Sequence, residues 1–139
     1  MFERCLYFNV NALARAVNRI WDQAFKELGL SPAHAYLLRL VLAEPGASQK
    51  TLADELRLEK STITRFVDAL HAKGLLKRSK TGSEDNREQH IFPTEKAKRM
   101  QAALEKTGNQ LYRSVCEKLG EDEIKALVVG LREATKTLA

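Results

Sequence analysis

The sequence has little of what most enzyme or membrane readings require. No stretch approaches the roughly 20 consecutive apolar residues of a membrane-crossing helix. The opening MFERCLYFNVNALARAV is amphipathic and lacks a charged start before a long apolar core, so no signal peptide is expected. Only two cysteines occur, Cys5 and Cys116, at no metal-ligand spacing and with nothing to indicate secretion. A reducing cytoplasm is therefore the expected compartment. The three histidines, His34, His71 and His90, are isolated from one another. A metal site would have to be assembled from distant His and carboxylates, and no metal or cofactor is expected. A Gly-rich phosphate loop, G-x-S-x-G and H-E-x-x-H are all missing, which leaves no enzyme constellation. Internal repeats and low-complexity segments are absent as well.

What is present suits one domain with a core. The chain has 139 residues, of which 44% are apolar and 29% charged, a balance that argues against disorder. The formal net charge is +5, and its placement matters more than its size. Residues 57–80 hold seven Lys/Arg against two Asp/Glu, a local balance that equals the whole net charge. A solvated face is the ordinary explanation of a basic run. Coincidence with a helix-turn-helix pattern shifts the reading towards nucleic acid.

That pattern lies in residues 48–94. Ile63, Phe66, Val67 and Leu70 recur at i, i+3, i+4, i+7, which puts them on one face of a helix over residues 61–73. The other face carries Ser61, Thr62, Thr64, Arg65 and Asp68. Such a face suits a DNA major groove, where hydroxyls donate or accept and Arg can pair bidentately with guanine. Before it, Leu52, Ala53 and Leu56 face inward on a short helix that Ser48 would cap. Residues 57–60 are the turn between them. Gly74 stops the second helix, and two short strands, residues 75–79 and 89–93, flank a polar tip and predict a hairpin wing. Glu59 is a poor N-cap, so the start of the second helix is not set by its sequence.

The flanking segments read as helices with surplus apolar surface. Leu6, Val10, Leu13, Val17, Ile20 and Ala24 form a heptad seam on a helix over residues 3–28, with Trp21 and Phe25 as a second apolar edge. Ser31-Pro32 opens the next helix, and residues 35–42 are apolar nearly all round, which predicts a buried central helix. Thr94 caps a long helix to about residue 119, and Gly120 separates it from a last helix with an acidic first turn.

In this order the chain resembles the MarR family of bacterial transcription regulators. The resemblance rests on S-T-x-T-R at residues 61–65, L-x-x-K-G-L-L-x-R at residues 70–78, Asp85-Asn86-Arg87 at the wing tip, and the Thr94-Glu95-Lys96-Ala97 helix start. It covers nearly the whole chain. It implies a mainly α fold with a small antiparallel β wing, a winged helix-turn-helix lobe over residues 31–94, and dimerisation helices over residues 1–30 and 95–139. The implied function is a homodimeric regulator, with repression the expected sign, that binds a pseudo-palindromic double-stranded DNA operator and is released by a small-molecule effector. Ser61, Thr62, Thr64 and Arg65 would face the major groove, with Arg87 in the minor groove, oriented by Asp85. Lys60, Lys73, Lys77, Arg78 and Lys80 would supply phosphate attraction.

Regulatory sites are less sharply marked. Arg15, His34 and Tyr36 are candidates to line an effector crevice, although each also reads as an ordinary junction residue. One branch of the family senses organic hydroperoxides through a cysteine near the start of the first helix, which makes Cys5 a redox candidate; a packing role is the alternative. Cys116 reads as structural. A different class of function, a winged-helix module that binds protein, stays open, although such modules often lose the basic face kept here.

Overall fold

In the computed structural model, which describes residues 1–79 and 88–139, serine hydroxyls open two of the helices. The helix α1 (Leu6–Lys26) is followed by α2 (Pro32–Ala43), whose N-cap Ser31 accepts from the His34 N–H at 3.2 Å. A two-residue strand β1 (Ala47–Ser48) runs into α3 (Gln49–Leu56), where the Ser48 hydroxyl accepts from the Thr51 N–H at 3.1 Å. Both caps satisfy an N–H that a helix start leaves orphaned. The helix α4 (Lys60–Ala72) has Glu59 at its N-cap with no side-chain cap bond, in keeping with that residue's weakness there. Strands β2 (Leu76–Ser79) and β3 (His90–Pro93) precede α5 (Glu95–Leu119) and α6 (Glu121–Leu138).

The chain divides into two compact units, Met1–Glu105 and Lys106–Ala139. In the first, α2 is the central helix: Ala35, Leu37, Leu38 and Val41 are fully buried. Phe25 of α1, Leu52 of α3, Ile63, Val67 and Leu70 of α4, Leu76 and Ile91 of the strands, and Ala97 and Leu104 of α5 complete that core. The sheet is antiparallel in the order β1-β3-β2. The hairpin expected from sequence thus has a third strand, with Ala47 paired to Ile91 and Ser48 to His90. Gly46 makes the turn into β1. Its φ of 89° suits glycine, and a Cβ there would meet the Phe92 ring at 3.2 Å.

Two details of α1 differ from expectation. It begins after Cys5, which caps it, so residues 3–5 lie outside the helix. The two apolar edges also have unequal fates. Phe25, on the second edge, is fully buried, whereas the seam residues Leu6, Val10, Leu13 and Ile20 remain exposed in the single chain.

In the second unit Gly120, at φ 97°, separates α5 from α6. The acidic first turn of α6, Glu121, Asp122 and Glu123, complements the positive end of the helix dipole. Glu121 also pairs with Lys125 at 3.2 Å. Ile124 is buried, while Leu127, Val128, Val129 and Leu131 are exposed.

Candidate nucleic-acid interface

The amphipathic pattern of α4 becomes an anchored face. Ile63, Val67 and Leu70 are fully buried, and burial of three such side chains holds the helix with roughly 1.5–3 kcal/mol each. Phe66, expected inward with them, is only half-buried and meets the His34 ring edge-on at 4.8 Å between centroids. Outward, Lys60, Ser61, Thr64 and Arg65 are exposed and Thr62 half-buried. Among the described residues the Arg65 guanidinium makes only a long contact, 3.4 Å, to the Thr62 hydroxyl, which leaves most of its donor fork for a base edge.

The turn before α4 depends on Arg57, which adopts a left-handed conformation with φ 56° and ψ 46°. This costs a non-glycine residue about 1–2 kcal/mol. The Arg57 N–H closes the end of α3 on Ala53 and Asp54, and the Leu58 N–H follows to Ala53 at 3.0 Å. The three interhelical residues, Arg57, Leu58 and Glu59, thereby turn the chain sharply enough to bring α4 against α3.

Beside α4 lies a notch of about 300 Å³ lined by Ser48, Gln49, Lys50, Lys60, Thr64, Glu88 and Gln89. Lys50, Lys60 and the N-terminus of α3 border it together with Glu88, a lining with net positive charge that suits a phosphate oxygen. Lys50 was not among the sequence candidates. The local signal was a lysine two residues past a serine cap. Of the other basic candidates, Lys77 is exposed on β2, and Lys73, at the end of α4, donates to the Gly29 carbonyl at 2.9 Å. Arg78 is half-buried on β2, paired with Asp68 of α4 and donating to the Gln49 Oε1 at 3.3 Å. Lys80, Asp85 and Arg87 fall outside the described residues.

The proposed effector residues occupy separate places. His34 touches α4 through Phe66, and burial first, then the nearby Lys73 ammonium, hold its pKa below the ordinary imidazole value. Tyr36 belongs to a network joining three helices. Its hydroxyl accepts from Trp21 Nε1 at 3.1 Å, its ring meets Phe25 edge-on, and the Arg39 guanidinium lies 5.1 Å from the ring centroid. Arg39 then pairs with Glu105 of α5 at 3.1 Å. Arg15 is an exposed residue of α1.

The thiols differ in setting. Cys5 Sγ accepts from the Phe8 N–H at 3.5 Å as the cap of α1. Cys116 is half-buried on α5, and its thiol is the main cause that raises the pKa of the Tyr112 phenol. Among the described residues no group of three His, Cys, Asp or Glu could hold a metal ion, and no helix is long and apolar enough to cross a membrane.

Comparison with known proteins places this geometry. Residues 28–87 match the model of the MarR family. The uncharacterized HTH-type transcriptional regulator YybA of Bacillus subtilis is 29% identical over 100 residues; the match covers 71% of this chain and 65% of that protein's length. The PcaV transcriptional regulator of Streptomyces coelicolor, solved with its natural ligand, superposes with a TM-score of 0.88 at 23% identity, over 100% of this chain and 97% of that one. MepR of S. aureus, solved as a DNA complex, superposes with a TM-score of 0.86 at 17% identity, over 99% and 100%.

Proposed function

We propose that this chain, whose residues 28–87 match the model of the MarR family, is a member of that family and a transcription regulator that reads double-stranded DNA as a homodimer. The observation that carries the reading is the exposed polar face of α4, with Ser61, Thr64 and Arg65 outward over fully buried Ile63, Val67 and Leu70. Lys50, Lys60 and Lys77 flank it with positive charge, so affinity would fall steeply with salt. A relative of the same fold was solved on DNA, which supports this choice of partner.

Dimerisation follows from reach. One recognition helix reads only a few base pairs, and a two-fold pair reads a palindrome with half-sites one helical turn apart. The exposed apolar residues Leu6, Val10, Leu13 and Ile20 of α1 are the surface such a pairing would cover. Repression by operator occupancy is the expected mode, and a small-molecule effector would release the DNA by favouring a dimer whose recognition helices are wrongly spaced. Such a ligand must bind the two states with different affinity, since equal binding shifts nothing. PcaV, of the same fold, was solved with its natural ligand, which supports a ligand-binding role for this fold.

The test is selection from a random-sequence duplex library, with the thiols reduced. Enrichment of a two-fold symmetric site of about 16–20 base pairs is expected, the span of two half-sites one turn apart. Failure to enrich any duplex would overturn the reading in favour of a protein-binding winged-helix module.

A further inference from the structure

Arg78 looks by composition like one more phosphate ligand, but the groups around it assign another task. Its guanidinium is paired with the Asp68 carboxylate and donates through Nε to Gln49 Oε1 at 3.3 Å. The Gln49 Nε2 donates in turn to the Thr64 hydroxyl at 3.3 Å, and that hydroxyl donates to the Lys60 carbonyl at 3.0 Å. The direction of this chain of bonds has a single solution. A guanidinium cannot accept a hydrogen bond, so Gln49 must turn its oxygen to Arg78 and its NH2 to Thr64. Thr64 then has its own proton left for Lys60. Three elements are joined, α3 through Gln49, α4 through Thr64 and Asp68, and β2 through Arg78. The Gln49 backbone N–H also reaches the Gln89 carbonyl, at 3.2 Å, just before β3.

We propose that Gln49, Asp68 and Arg78 are positioning residues that set the angle of α4 against the wing strand, so that α4 and the wing meet their grooves together. The inference rests on the DNA-reading assignment of α4. Arg78 is 25% exposed and its charge is matched by Asp68, so it adds little to counterion release. Its planar fork is what the site uses, and lysine cannot reproduce a two-partner geometry of this kind.

The two roles predict opposite signs. Asp68→Asn removes a negative charge beside the DNA-facing helix. If Arg78 were a phosphate ligand, freeing it would tighten binding to every duplex. If the network positions α4, binding to the selected duplex weakens while random duplex is held as before.

The experiment uses the full chain with two probes, the duplex enriched from the random library and a scrambled duplex of equal length. Fluorescence anisotropy is followed across a salt series, with urea unfolding as the check on fold. Asp68→Asn and Arg78→Lys should each lower affinity for the enriched duplex about tenfold. Affinity for the scrambled duplex and the salt slope should stay unchanged. Gln49→Met leaves both charges in place and carries the same prediction, which covers the case in which Asp68→Asn does not fold. Tighter binding of both duplexes by Asp68→Asn, or wild-type discrimination in Arg78→Lys and Gln49→Met, would overturn the proposal and leave the DNA-reading assignment standing. A wild-type chain that enriches no duplex would remove both.

Discussion

Arg65→Ala separates base reading from charge at a site where little else changes. The free protein has almost nothing to lose there, because Arg65 is exposed and its one hydrogen bond among the described residues is the 3.4 Å approach to Thr62. Stability should therefore stay within about 0.5 kcal/mol, as for other surface substitutions. On DNA, a bidentate pair to guanine is worth about 1–3 kcal/mol of discrimination. That corresponds to roughly 5- to 150-fold weaker binding of the enriched duplex at 1.4 kcal/mol per factor of ten. A scrambled duplex offers no matched base, so its affinity should fall only by what one general positive charge contributes. The assay is anisotropy at several salt concentrations for both duplexes. Were Arg65 a phosphate ligand, the salt slope would drop by about 0.9 and both duplexes would weaken alike. Equal losses on the two duplexes would refute its role as a base reader.

Three further predictions follow from the geometry. His34 has its pKa lowered by burial and by Lys73, so the folded state binds fewer protons than the unfolded one as pH falls through the ordinary imidazole range. Its contribution is present above the unfolded value and is lost as pH drops towards the folded one. Wild type should thus lose more stability than His34→Gln between about pH 6.5 and 5 in urea titrations; parallel curves would rule this out. Gly46→Ala should cost about 1–2 kcal/mol, because φ 89° is strained for alanine and the new Cβ meets the Phe92 ring. An unchanged urea midpoint would mean that the turn relaxes freely. Cys5→Ser keeps a cap acceptor for the Phe8 N–H, so thermal stability should hold within about 1 kcal/mol. Hydroperoxide-driven release of DNA that vanishes in this variant assigns sensing to Cys5, whereas release that persists removes the thiol from the mechanism.

Local chemistry makes much of this fold legible in the order of the residues. The 3.6-residue recurrence of Ile63, Val67 and Leu70 predicts a buried face, and all three are fully buried. Ser31 and Ser48 announce helix starts because a cap acts on an N–H only three residues away. The apolar run in residues 35–42 likewise marks the central helix. The first unit's winged helix-turn-helix is therefore readable from periodicity, caps and glycine stops.

What only the tertiary structure decided lies between distant residues. The strand β1 has two residues, too few for any period, and exists because β3 supplies its hydrogen-bond partners. The heptad seam and the Phe25 edge of α1 are both apolar by sequence, and only packing against α2 selected the edge for burial. Arg39 meets Glu105 across 66 residues, and Arg78 meets Gln49 across 29. A count of basic residues assigns Arg78 to phosphate, since charge is visible in the sequence and its neutralisation by Asp68 is not. Periodicity specifies which side of a helix is apolar. Which other side chain completes a cation's hydrogen bonds depends on how three separately specified elements come together.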